Sequence, residues 1–190
     1  MSFYLRIPAA LAVLSLMTAC SGGGGDDSPT VEYASDAANA ARLVAETANL
    51  SQTSASSMPV TGRAEYDGVV GMAFGGAPAS IASAQMLGEM DLTANFATGQ
   101  ISGEFDDFNT AAGQELNGAL RVTNGRITGN GFAADINGNL TGAGTAPGAV
   151  TGAINGDFLG TNAAAIEGTG SATSTAGNLG LVFVGTLDRD

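Results

Sequence analysis

From Val60 onward, apolar side chains recur at every second position, and glycine interrupts the alternation at short intervals. Period two puts successive side chains on opposite faces of an extended ribbon, so this stretch predicts a sheet with one buried and one wet face. In Gln85 to Ala97, Met86, Met90, Leu92, Ala94 and Phe96 share one face; Glu89, Asp91, Thr93 and Asn95 share the other. Thr98-Gly99 turns the chain, and Ile101, Gly103 and Phe105 resume the inward row against Ser102, Glu104 and Asp106. Leu116, Leu120 and Val122 alternate with Asn117 and Arg121, and Asn124-Gly125 then predicts a type I′ hairpin turn, because both residues tolerate positive φ. Ile127 opens the next strand, where Phe132 and Ile136 fall on the opposite parity, so a bulge is expected at Gly129 and Gly131. Val150, Ile154 and Phe158 form another inward row; Ala164 and Ile166 carry the seventh strand. In the last, Leu181 and Phe183 oppose Val182 and Val184. With a first strand from Val60 to about Phe74, bent at Gly68, the set reads as about eight antiparallel strands.

Such spacing suits an all-β, single eight-stranded antiparallel up-and-down barrel. A lumen of about eight strands is barely wide enough for its own side chains. The chain has 29 glycines and only 13% charged residues. Inward glycine frees volume and lets strands coil enough to close, as where Gly156 alternates with Phe158 and Gly103 with Phe105.

Ahead of this domain the chain begins "MSFYLRIPAALAVLSLMTAC", with one cation, Arg6, before an apolar run from Ile7 to Met17. The run is too short to span a bilayer, which takes about 20 residues, and reads as a secretory signal. Met17-Thr18-Ala19-Cys20 resembles a bacterial lipobox, which makes residues 1–19 the signal peptide and Cys20 the first, lipidated residue. Acylation also accounts for the lone cysteine, which has no partner for an internal disulfide. Ser21 at the next position, where such signals carry Asp for retention, implies export to the outer membrane. "SGGGGDDSPT" is a flexible spacer. The Ala-rich segment from Tyr33 to Asn49, with Ser35 and Asp36 as candidate caps and a thin stripe of Leu43, Val44 and Leu50, predicts one short helix, loosely packed or part of the stalk. Residues 20–59 thus form a tether with a short helix, and 60–190 the barrel domain.

Charge narrows the function. The formal net charge is −12, all six cations are Arg, and there is no His. Binding nucleic acid needs a cationic stripe, so it is excluded, and direct adhesion to anionic headgroups is disfavoured. Without Lys or His, and with Cys20 committed to the anchor, the chain holds no catalytic constellation and reads as a non-enzyme. No cofactor is implied. Glu104, Asp106, Asp107 and Asn109 could be pictured around Ca²⁺, yet a solvated strand edge whose charges oppose aggregation accounts for them more simply. Glu65 and Asp67 read as surface. Haem would need Tyr33, Tyr66 or a methionine as axial ligand, but Tyr66 shares the inward parity of Ala64, and Met86 and Met90 lie on the core face.

One segment resembles a known family. "GDFLGTNAAAIEG", Gly156 to Gly168, is similar to the signature of the C-terminal β-barrel of transferrin-binding protein B and related surface lipoproteins. Gly156, Phe158, Gly160, Asn162, Ala163 and Gly168 stand at matching positions, while Leu159, Thr161 and Ala165 depart from it, with Glu167 two places beyond the usual Glu. "LTANFATGQISGEFDDF" and "ITGNGFAADI" also resemble the strands that precede the signature there. The resemblance implies an eight-stranded barrel, a lipid anchor and an association with capture of a ligand or iron source. It carries no binding residues, and transferrin binding does not transfer, because the chain has no room for the family's additional handle domain. The expectation is a lipoprotein anchored to the outer membrane, acting as a binding module for an unknown protein or solute, with haem among the candidates. Its candidate binding loops are Gly75 to Ala84, Asn109 to Gln114 and Asn139 to Gly148. The alternative is a structural envelope lipoprotein with a packed barrel and no small ligand.

Overall fold

The computed structural model describes residues 28–188, and the expected targeting signal, Cys20 and the expected spacer to residue 27 lie outside them. One helix, α1 (Pro29–Thr47), precedes nine strand segments: β1 (Arg63–Phe74), β2 (Met86–Asn95), β3 (Gln100–Thr110), β4 (Glu115–Asn117), β5 (Leu120–Thr128), β6 (Gly131–Gly142), β7 (Gly148–Leu159), β8 (Ala165–Ser174) and β9 (Gly177–Leu187). Every pairing is antiparallel and, with β4 and β5 counted as one strand, each lies beside its neighbour in sequence. The sheet closes where β9 pairs with β1, from Tyr66 opposite Leu187 to Phe74 opposite Leu179. Because β4 and β5 are two halves of one broken strand beside β3, the result is an eight-stranded up-and-down barrel. Closure leaves no free strand edge among these segments.

The turn at Asn124-Gly125 differs from the expected hairpin. Asn124 does take positive φ, 54°, but β5 runs straight through it to Thr128. Thr123 faces Asp135 and Arg126 faces Ala133, so Asn124 and Gly125 together oppose Ala134. The pair is a β-bulge, and the hairpin turn comes at Gly129-Asn130, with Gly129 at φ 63°. The bulge thus sits inside the strand and the turn sits where the bulge was expected. Closure of the barrel on both sides of β5 outweighs the local preference of Asn-Gly.

The lumen is filled. Tyr66, Val70, Met72, Met86, Met90, Leu92, Ile101, Phe105, Phe108, Phe132, Ile136, Ile154, Phe158, Ile166, Leu181 and Phe183 form one buried cluster. Inward glycines are covered from neighbouring strands. Phe132, Gly156, Gly168 and Phe183 stand in one cross-strand row, and the two rings meet above the glycines with centroids 6.1 Å apart. A Cβ at Gly156 would strike the tip of the Phe132 ring, and one at Gly168 the tip of Phe183. Met90 lies in the same way over the paired Gly68 and Gly185.

Outside the barrel, α1 is docked rather than loose. It starts four residues before the expected Tyr33, with Pro29 in its first turn, so Ser35 and Asp36 lie within it instead of capping it. Ala40 and Leu43 are buried against the outward Val69, Leu87 and Val184 and against Ile81 and Ala84 of the β1–β2 connection. The Tyr33 hydroxyl donates to the Ala84 carbonyl at 2.7 Å. Val44 points away and is 48% exposed, as is Val60 at 80%, three residues before β1 begins.

Candidate functional site

Alternation of strand direction sorts the connections into two ends. The β1–β2, β3–β4, β6–β7 and β8–β9 connections share one end; the β2–β3, β5–β6 and β7–β8 turns share the other. All three candidate loops therefore open together. Two are shorter than expected, since Asn109 and Thr110 belong to β3 and residues 139–142 to β6, while Gly75 to Ala84 lies wholly between β1 and β2. Ile81 and Ala84 of the first loop are buried beneath α1. The start of α1 lies at this same end, where Thr30 meets Gly113, and its far end reaches the opposite one, where Leu50 packs on Gly160.

The signature residues build that opposite end. Phe158 is fully buried and its ring meets those of Tyr66, Phe96 and Phe132 at centroid distances of 6.0, 5.6 and 5.5 Å. Gly160, Asn162 and Ala163 form the β7–β8 turn in left-handed conformation, with φ of 73°, 58° and 58°. Ala163 is fully buried, and its carbonyl accepts the Tyr66 hydroxyl at 2.7 Å. Burial raises the Tyr66 phenol well above its ordinary value, so the proton stays in that bond. Residues 51–53 are laid along the end of β7: Thr53 donates its N–H to the Phe158 carbonyl at 2.7 Å, and Gly160 donates to the Ser51 carbonyl at 2.8 Å. Asn130 donates to the Thr53 carbonyl at 2.7 Å, and Gln52 to Asp157 at 2.5 Å. The signature is thus the means of sealing one mouth of the barrel.

Among the described residues, none of the haem candidates is placed to bind one. Tyr66 is spent on Ala163 and Tyr33 on Ala84; Met72, Met86 and Met90 are packed in the lumen, and Met58 rests against it. What remains open is on the outside. A groove of about 1020 Å³ runs from the last turn of α1 across β9, β8, β7 and β6, lined by Val44, Val182 and Val184 and by Arg126, Asp157 and Glu167. Asp157 and Glu167 are direct cross-strand neighbours, a like-charge pair on its floor.

A second polar feature lies under α1. The register of β2 against β3 shifts between Leu87 and Glu89, and Asp107 takes φ 45° there. This bulge turns Asp106, Asp107 and Asn109 to the outer face, beside Glu89 opposite Asp106. One carboxylate oxygen from each of Glu89, Asp106 and Asp107 lies within 4.8 Å of the others. Glu104 is not part of the group. The residues form no solvated strand edge, because the barrel has none and α1 covers this flank. Burial, then Glu32 and Asp107, raises the Asp36 carboxyl of α1 to about 6. Glu89 is raised by burial, then Asp107, Asp36, Asp106 and Asp91; Asp106 by burial, then Asp107 and Glu104. Sequence alternation assigned Glu89 to an outward face without a partner and Asp36 to a cap; only the register and the docked helix bring them together.

The sequence profile of the C-lobe and N-lobe β-barrels of Tf-binding protein B matches residues 58–186. The chain belongs to this family. No curated protein matches it. Among solved structures, a double variant of transferrin-binding protein B of Haemophilus parasuis is similar at 19% identity and a TM-score of 0.49, covering 73% of this chain and 28% of that one. The protein of serogroup B Neisseria meningitidis is similar at 16% identity and 0.46, covering 74% and 27%. A structure titled as a surface lipoprotein is similar at 16% and 0.44, covering 72% and 65%. This family member spans under a third of the length of the two transferrin-binding proteins.

Proposed function

We propose that the chain is an outer-membrane lipoprotein, acylated at Cys20, whose barrel is a non-catalytic binding module that meets a protein or solute on its outer surface. The observation that supports this reading is the filled lumen of a closed barrel: a partner has only the exterior to grip. Membership of the family supports a protein partner. Its named members bind transferrin, and capture from an iron source is the role proposed here, through contacts other than a handle domain. The geometry supports one orientation. Because α1 begins at the end that carries the longer connections, a tether from Cys20 to Ser28, at most about 29 Å when extended, holds that end near the membrane. The signature end and the outer groove then face away.

Metabolic labelling with a radioactive fatty acid is expected to mark the full chain and to fail for Cys20→Ala, with the label in the outer-membrane fraction; equal labelling of that variant overturns the anchor. Binding is tested separately, by passing transferrin and haemin over the immobilised chain. The packed lumen also favours a second reading, a structural envelope lipoprotein without a small ligand. Retention of transferrin, lost on Val182→Asp in the groove, supports the binding module; no retention of either probe leaves the structural reading standing.

A further inference from the structure

We infer that the outer groove beside α1 takes an extended segment of a partner protein that presents an aliphatic side chain and, two positions away, an Arg or Lys. This rests on the reading of the barrel exterior as the gripping surface, and it names the chemistry that surface selects. Strand register lays the floor of the groove out in two rows. In one, Asp157, Glu167 and Val184 stand side by side on β7, β8 and β9; in the next, Asn155, Thr169 and Val182 do. The valines lie at the α1 end, where Val44 and Ile81 form the wall. Val44 is 48% exposed, so docking of α1 leaves an apolar step above the sheet. The groove is therefore aliphatic at one end and acidic further along its floor.

Like charges directly opposite each other in a strand pair repel, and a cation seated between Asp157 and Glu167 reverses that. The neutral Gln52 amide donates to Asp157 Oδ1 and leaves the charge uncompensated. Arg126 lines the same groove, but it stands on β5, in the row of Ala133 and Asn155, beyond β6 from Asp157. The one salt bridge among the described residues is Arg42 with Glu46, so Arg126 pairs with neither acid. It instead keeps a second cation out of the far end, and this fixes the direction of the segment, apolar side chain toward α1. Spacing follows from the sheet. Strands lie about 4.8 Å apart, so the midpoint of the two acids is about 7 Å from β9, close to the rise of about 6.6 Å between residues i and i+2 of an extended chain. Closure leaves no strand edge among the described segments, so the partner binds through side chains and not as an added strand. The formal net charge of −12 steers a basic segment in and turns an acidic one away.

The test is titration of the isotope-labelled full chain with the end-capped peptide Ser-Leu-Ser-Arg-Ser, followed by NMR. Saturable shifts centred on the amides of Asn155, Glu167, Thr169 and Val182 are expected, with a dissociation constant of about 1 mM, because exposed ion pairs add little each. Asp157→Asn with Glu167→Gln should weaken binding about fivefold or more. Glu65→Gln with Glu115→Gln, the same change of charge outside the groove, should weaken it less than about twofold. Val44→Ser, or Ser in place of the peptide Leu, should weaken it about as much as loss of the acids. Equal weakening by the two acidic pairs, indifference to the peptide Leu, or shifts centred elsewhere overturns the site. So does a dimer in sedimentation that Asp157→Asn with Glu167→Gln dissociates, since a second copy would then be the occupant. The peptide result is separate from the iron-source role. Peptide bound while transferrin and haemin pass unretained removes that role and keeps the groove's selectivity. Transferrin retained, and lost on Val182→Asp, without peptide binding keeps the binding module and removes the selectivity.

Discussion

At the scale of residues, the family signature is a device for closing a barrel. Tyr66 is buried and its hydroxyl has one partner, the Ala163 carbonyl. Tyr66→Phe leaves that acceptor unpaired and should cost about 1–3 kcal/mol in urea unfolding; a loss too small to measure would mean water takes its place. Ala163 is an alanine at φ 58° with no exposed surface. A β-branched residue fits neither the left-handed backbone nor the space, so Ala163→Val should destabilise by more than about 2 kcal/mol in the same assay. Gly156→Ala sets a methyl against the Phe132 ring and should cost about 1–3 kcal/mol. Combined with Phe132→Leu, the two losses should sum to more than the double variant shows, the mark of a shared contact.

At the scale of elements, α1 is a separate layer on a completed barrel. Its hold rests on Leu43 and Ala40 against Val69, Leu87 and Val184. Leu43→Ala should weaken docking by about 2–4 kcal/mol. Hydrogen exchange should then rise in α1 amides and stay slow in the strands; a uniform rise would show that helix and barrel unfold as one unit. The same layering explains why the helix was hard to read. Its apolar stripe is thin because it covers only a narrow strip of outward side chains on the sheet, so the pattern of Leu43, Val44 and Leu50 gave no sign of what lay beneath. At Asn124-Gly125 the sequence signal was strong and the reading of a turn wrong. Both a type I′ turn and a bulge want positive φ at Asn124, and only pairing with β3 and β6 selects between them.

At the scale of the whole molecule, closure governs stability. Removing residues 177–190 deletes β9 and strips the partners from β1 and β8, leaving two long edges. The truncated chain should aggregate where the full chain stays dispersed, as light scattering would show. Closure also fills the lumen, which moves any partner to the outside surface. Alternation by itself determined that the chain forms about eight antiparallel strands, which side chains point inward, and that glycine must make room among phenylalanines, because strand geometry has a period of two wherever one face is buried. The family signature, too, is a local pattern. Which carboxylates meet, where the helix lies and at which end of the barrel it begins were decided only by tertiary structure. Those depend on register between strands and on a helix packed across them, and neither leaves a periodic trace in the order of residues.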